Sequence, residues 1–365
     1  MKKSIQLAAA AASAALILAA CGAAPEATTT DTSTATNTTE TTTSTIKACM
    51  VSDEGGFEDK SFNESGKMGM EQAKAELGIE VAYSESSSGE DYGPNIAAQI
   101  QQGCNIIIGV GFLMADAMNE AAVANPNVKF ALVDSGFADS PENSKALVFN
   151  TAEASFLAGY AAAGMTSTGK VGTFLGMNIP STAIFADGFQ DGIKKYNEVK
   201  GTNVELLGWD KEKQDGMAVG NFSDTPKGKQ FSTQLIEQGA DIILPVAGPV
   251  GEGALAAAQE TGKASVIWVD ADGYETKPDF GSLIMTSVMK EIDNAVFDTI
   301  KSLVEDSWSS DPYVGTVANG GVSLAPFHDF EDKVPAELKA EIEQLSKEIA
   351  DGTLVVESIH NPSNS

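Results

Sequence analysis

Gln102-Gly103-Cys104-Asn105, followed by Ile106-Ile107-Ile108-Gly109-Val110, has a counterpart in Gln238-Gly239-Ala240-Asp241, followed by Ile242-Ile243-Leu244-Pro245-Val246. In each, a helical pattern stops at a glycine of the kind that closes a helix. An apolar run then begins within two positions, as expected for a strand buried on both faces. Asn105 and Asp241 therefore start equivalent strands in two similarly built halves.

Working outward, apolar runs and amphipathic stretches alternate along nearly the whole chain, the pattern of a parallel-sheet α/β architecture. Strands are expected at 46–51, 79–83, 106–110, 129–133 and 146–149, and again at 170–175, 204–207, 242–246, 265–269 and 283–287. Helices are expected at 65–77, 93–102, 115–124, 152–165, 182–196, 227–238, 253–261, 291–303 and 335–349. About ten strands are many for one twisted sheet. One large doubly wound sheet is the alternative to a two-lobed periplasmic-binding-protein-like (type I) fold. In the two-lobed fold each lobe is a parallel sheet flanked by helices, with a ligand cleft between lobes. Residues 46–150 with about 288–320 would form the first lobe, and 151–287 with about 321–365 the second. The chain would cross between lobes before Thr151, near 287–290 and near 320–324, which makes a hinge that closes on ligand.

The N-terminus is built for export. Met1-Lys2-Lys3, a short apolar core and Leu18-Ala19-Ala20-Cys21 read as a signal peptide over residues 1–21, with a bacterial lipobox that makes Cys21 the lipidated first residue of the mature protein. The apolar run is too short to be a convincing membrane span. Residues 22–45 are nearly all Thr, Ser, Ala, Asn and Glu, a tether that lacks the apolar side chains to offset its ordering entropy.

The formal net charge is −28, spread along the chain, which repels nucleic acid. Beyond Cys21 the cysteines are Cys49 and Cys104. Export permits a bridge between them, and two buried thiols are the alternative. His328 and His360 are the two histidines, and with no CxxC or Cys/His cluster a zinc site or other metal cofactor is not expected.

Ligands of open α/β sheets bind at the carboxyl ends of strands. The segment Asp53-Glu54-Gly55-Gly56-Phe57-Glu58-Asp59-Lys60-Ser61-Phe62-Asn63 follows the first strand and combines turn glycines, aromatic faces and polar handles. Asp134 ends the fourth strand, Asp270 the ninth, and Asp272 stands two positions later. Gly111-Phe112-Leu113-Met114 follows the third strand. Gly248-Pro249-Val250-Gly251-Glu252-Gly253 follows the eighth, and its backbone is open to close approach at Gly248. Phe62 from one lobe and Phe222 from the other would sandwich a flat ring. Carboxylates accept hydrogen bonds from ring N–H, exocyclic amine and ribose hydroxyl donors. Several acids without a basic fork should reject phosphate, so the expected ligand is a neutral nucleoside.

The Asp-Lys-Ser-Phe-Asn core of that segment resembles the signature of the basic membrane protein family of substrate-binding lipoproteins, whose best-understood members bind purine nucleosides. Gly109-Val110-Gly111-Phe112, Phe156-Leu157-Ala158-Gly159-Tyr160, Gly188-Phe189-Gln190-Asp191-Gly192, Gly239-Ala240-Asp241, Val269-Asp270-Ala271-Asp272 and Thr286-Ser287-Val288-Met289-Lys290 extend the resemblance over roughly residues 46–324. It implies that Phe62 and Phe222 stack the ring, that Asp53 and Asp134 lie near the base, and that Asp270 or Asp272 lies near the sugar; from the segment itself, Asn63 is expected to support Asp53 and Phe62. Glu252 adds a charge to a loop that is glycine-rich in the family.

The expected function is a monomeric, lipid-anchored receptor on the extracytoplasmic face of the cell membrane. It would bind a purine nucleoside by lobe closure and deliver it to the permease and ATPase subunits of an ABC importer. An exported nucleoside hydrolase is the enzymatic alternative, for which no Ser/His, Cys/His or metal-ligand spacing is present. A sensor or adhesin on the same fold is a third reading.

Overall fold

The computed structural model describes residues 45–362. The leader, Cys21 and the tether as far as residue 44 lie outside the described residues. The chain opens with β1 (Lys47–Ser52), α1 (Phe62–Leu77), β2 (Glu80–Ser84), α2 (Tyr92–Gln101), β3 (Ile106–Val110), α3 (Ala115–Ala124), β4 (Lys129–Val133) and β5 (Ser144–Phe149). It continues with α4 (Thr151–Met165), β6 (Lys170–Leu175), α5 (Pro180–Lys200), β7 (Glu205–Leu207) and a small ribbon of β8 (Trp209–Asp210) and β9 (Asp215–Gly216). Then come α6 (Thr225–Glu237), β10 (Ile242–Val246), α7 (Glu252–Thr261), β11 (Ser265–Asp270), α8 (Gly273–Thr276) and β12 (Ile284–Lys290). Last are α9 (Ile292–Val304), β13 (Tyr313–Gly315), β14 (Val322–Leu324) and α10 (Ala336–Ala350).

These strands form two sheets of one design. The first has the order β13-β5-β4-β3-β1-β2 and is parallel throughout. The second has the order β14-β12-β11-β10-β6-β7 and is parallel except for β14. Both are two-lobed type I binding-protein sheets, and in both the strand order reverses beside the first strand, between β1 and β3 and between β6 and β10. The central strands β3 and β10 are buried at every residue, which is why they read as unbroken apolar runs.

The two handovers that open the sequence argument are the same structure twice. Gly103 (φ +78°) donates to Ile100 O at 3.0 Å and Cys104 to Gln99 O at 3.3 Å. Gly239 (φ +102°) donates to Ile236 O and Ala240 to Leu235 O, both at 3.0 Å. Each is a Schellman ending, and glycine takes the left-handed conformation it needs. Asn105 N then bonds Lys47 O, and Asp241 N bonds Lys170 O, so each handover docks onto the first strand of its own sheet.

The helical motifs have a packing cause. A Cβ on Gly159 of α4 would lie 2.1 Å from Phe189 O of α5, and one on Gly192 of α5 would lie 2.0 Å from Phe156 O of α4. Backbones meet there without side chains between them. Cys49 of β1 is bridged to Cys104, just before β3, which resolves the open alternative in favour of the disulfide. The chain passes between the sheets after Phe149, after Lys290 and between Gly315 and Val322. Among the described residues no helix is long and apolar enough to cross a membrane.

Candidate ligand-binding site

A cavity of about 570 Å³, counted out to its mouth, lies where the carboxyl ends of the two sheets face each other. Loops at both strand-order reversals line it, the place that doubly wound sheets offer a ligand. Asp53, Gly55, Asp59, Phe62, Asn63, Gly111, Phe112, Leu113 and Asp134 come from the first sheet's loops. Ile179, Ser181, Thr182, Phe185, Phe222, Gly248, Pro249, Asp270 and Lys290 come from the second sheet's strand ends, its loops and helix α5.

The first wall is organised by two aspartates with different tasks. Asp59 accepts backbone N–H bonds from Ser61 (3.0 Å), Asn63 (2.9 Å) and Glu64 (3.0 Å), so its carboxylate caps α1. That cap starts the helix at Phe62, three residues before the expected start, and points the ring from the first turn. Asp53 Oδ1 accepts from Asn63 Nδ2 at 2.8 Å and from Gly55 N at 3.1 Å, while Asn63 Oδ1 accepts from Asp53 N at 3.3 Å. Its Oδ2 has no donor among the described residues and lies where a Cβ on Gly111 (φ +125°) would come within 2.7 Å. Burial pushes the Asp53 carboxyl up to about 6, with the Asp59 and Glu54 charges adding to the rise and the Asn63 and Gly55 hydrogen bonds opposing it.

Asp134 of the first sheet and Asp270 of the second repeat the halves' symmetry at the level of backbone strain. Both stand at the end of the fourth strand of their sheet, and both take the left-handed conformation, φ +67° and +69°. A non-glycine residue there costs about 1–3 kcal/mol, and such residues gather at ligand clamps. Lys290, at the end of β12 and 2% exposed, places Nζ 2.7 and 2.6 Å from the two Asp134 oxygens and 3.8 Å from Asp270 Oδ1. The same ammonium lies 4.7, 5.3 and 5.8 Å from the rings of Phe62, Phe149 and Phe185. Burial pushes the Asp270 carboxyl up to about 6; Lys290 and the Ser61 hydroxyl oppose the rise, and Asp134 and Asp59 add to it. Burial raises Asp134 as well, against the pull of Lys290.

Phe222 reaches the cavity because the position after β6 is Gly176: a Cβ there would lie 2.4 Å from the ring. Where the first sheet carries Asp53 after its first strand, the second carries a glycine that admits an aromatic face. Gly248 (φ +50°) lines the cavity. Asp272 does not line it. Its carboxylate caps α8 through Tyr274 N at 3.0 Å and meets His328 Nε2 at 2.7 Å, because the left-handed Asp270 turns the chain away. Glu252 also faces elsewhere, paired with Lys277.

Sequence reasoning missed two lining residues of weight. Lys290 was not among the expected site residues because its strand was expected to end at 287, whereas β12 runs on to Lys290 and sets the ammonium among the acids. Phe185 was missed because one phenylalanine on a helical apolar face reads as core. No group of three or more His, Cys, Asp and Glu able to hold a metal occurs among the described residues.

The family model described as "ABC transporter substrate-binding protein PnrA-like", Bmp, matches residues 46–358. The chain belongs to the Bmp family of ABC transporter substrate-binding proteins. Bmp members are binding proteins rather than enzymes. The chain is similar to the ABC transporter nucleoside-binding protein BmpA of Lactococcus lactis subsp. cremoris, 30% identical over 86% of this chain and 89% of that protein. An uncharacterized lipoprotein of Pyrococcus abyssi is 34% identical over 72% of this chain and 65% of its own length. Among solved structures, an ABC transporter solute-binding protein from Aeropyrum pernix K1 superposes with a TM-score of 0.78 at 26% identity, covering 86% of this chain and 94% of that one. The Bmp motifs divide between helix packing, as at Gly159 and Gly192, and the cavity wall, as at Asp53–Asn63 and Lys290.

Proposed function

We propose that this Bmp protein is a monomeric receptor, lipid-anchored through Cys21 on the extracytoplasmic face of the membrane, that binds a purine nucleoside between its lobes and delivers it to the permease and ATPase of an importer. The observation that carries the reading is the pairing of two aromatic faces from opposite sheets, Phe62 and Phe222, with Asp53 Oδ2, an acceptor without a donor among the described residues, in the same cavity. A purine ring offers flat faces and N–H donors to that set. Asp270 and Asp134, bridged by Lys290, offer acceptors to ribose hydroxyls. Asp53, Asp59, Asp134 and Asp270 outnumber Lys290, whose ammonium is already paired, so a phosphate is disfavoured. The name of the L. lactis relative supports the nucleoside class, and the Pyrococcus relative's name supports the lipid anchor.

A thermal-shift panel of nucleosides, free bases, nucleotides and sugars tests the proposal, because a ligand of the folded state raises apparent stability. Guanosine, inosine or adenosine should stabilise most; a sugar or amino acid ahead of every nucleoside sinks the reading. Incubation with inosine should release no free base. Mass spectrometry of the membrane-extracted protein should find acyl chains on Cys21.

A further inference from the structure

We infer that Lys277 and Glu252 form a latch that draws the second sheet's loops onto the Phe62 loop of the first and so positions Phe62 for ligand. The inference rests on the cavity being the ligand site. Lys277 lies just after α8, and its side chain is 7% exposed. Its ammonium pairs with the Glu252 carboxylate, lies 5.4 Å from the Trp268 ring and donates across the cleft to the backbone oxygen of Asp59 at 3.5 Å. Two residues on, the Ser61 hydroxyl lies 3.1 Å from Asp270 Oδ2 and 3.2 Å from Val269 O, again across the cleft.

The second sheet thus holds the first sheet's loop at Asp59 and at Ser61, and Phe62 is the next residue. Because the Asp59 carboxylate also caps α1, moving this segment moves the ring and the helix start together. These contacts join protein to protein, so lobe closure gains them whatever ligand is bound. Glu252 is the first residue of α7, where an acid is favoured by the helix N-terminus, and it orients the ammonium toward Asp59. The added charge in this glycine-rich loop therefore acts on closure instead of touching ligand. Half-exposed Glu252 keeps the latch modest and sensitive to salt. A latch that raises the closed fraction raises apparent affinity in proportion.

The test uses the full chain with Cys21→Ser and spin labels at V123C and V199C, two exposed positions on α3 and α5. Without added ligand, Glu252→Gln and Lys277→Met should shift the label distances toward longer values, and Lys277→Arg should keep the wild-type distribution. With guanosine, Glu252→Gln should bind roughly three- to tenfold more weakly, through faster dissociation. Unchanged distances in both Glu252→Gln and Lys277→Met overturn the latch. Should the buried Lys277→Met fail to fold, the surface variant Glu252→Gln decides alone. If guanosine does not bind the wild type, the nucleoside reading fails while the label distances still judge the latch.

Discussion

Asp53 and Asp270 approach the cavity from opposite sheets, and burial pushes each carboxyl up to about 6. Folded, they keep their protons to about pH 6; unfolded, they lose them near 3.8. Between those values the native state holds more protons, so their contribution to stability is complete below about pH 4 and is lost as pH rises through about 6. A shift of about two units corresponds to roughly 3 kcal/mol per group. Asp53→Asn should therefore lose less stability than wild type between pH 4 and pH 7 in urea unfolding, and parallel losses would show that Asp53 ionises normally. Ligand donors act in the opposite sense. An N–H bonded to ionised Asp53 favours the charged form, so affinity should fall up to about tenfold per pH unit below 6, and calorimetry across pH 5–7 reads it. Phe222→Ala should weaken binding by about 1–3 kcal/mol with the fold intact, and unchanged affinity would remove that ring from the ligand's surroundings. The strand-end acids Asp53, Asp134 and Asp270 were legible because an aspartate closing an apolar run has few places to point. Asp272 was misleading because the sequence does not display the left-handed turn at Asp270 that carries it onto α8.

Helices α4 and α5 show what a motif means at the scale of elements. Gly159, Gly188 and Gly192 let two backbones touch, and Gly188 lies against Ala152 O as closely as Gly159 lies against Phe189 O, 2.2 and 2.1 Å to an added Cβ. Gly159→Ala should push the helices apart and cost about 1–3 kcal/mol. Gly66→Ala in α1, where the new Cβ meets only the side chains of Met50 and Val110, at 3.3 Å, should cost far less, because side chains can shift where backbone cannot. Denaturant midpoints falling equally in both variants would contradict this packing account. The Cys49–Cys104 bridge closes a loop with a sequence separation of 55, for which chain entropy gives about 4 kcal/mol. Reduction should lower the unfolding free energy by roughly 2–4 kcal/mol in the same titration, and a change under 1 kcal/mol would mean that the reduced unfolded state is already compact. Long buried strands such as β3 and β10 were legible to the residue, since their apolar runs admit one reading. The three-residue β13 and β14 and the β8–β9 ribbon were not, because two or three residues carry no period.

Over the whole molecule, the three crossings between the sheets are tied to one another by hydrogen bonds. Asn150 N donates to Gly315 O at 2.8 Å, and Glu291 N donates to Gly321 O at 3.0 Å. Glu153, in the first turn of α4, accepts from Asn150 Nδ2 at 2.8 Å and from Val317 N at 2.7 Å, tying the first crossing to the third. Burial raises its carboxyl, and those two hydrogen bonds oppose the rise. Glu153→Ala would leave the Val317 N–H and the Asn150 amide without their shared acceptor, at a cost of about 1–3 kcal/mol. The global loss is less diagnostic than its location. Amide exchange should quicken around residues 315–322, while the central strands β3 and β10, remote from the crossings in the sheet order, keep their protection. Glu153→Gln, which keeps an acceptor of the same length, should restore most of that protection. Ligand binding should weaken in Glu153→Ala as well, since a looser hinge spreads the lobes over more arrangements and leaves a smaller fraction competent to close. Exchange that rises equally in every strand would show Glu153 to be an ordinary stabilising residue and the crossings to be independent linkers.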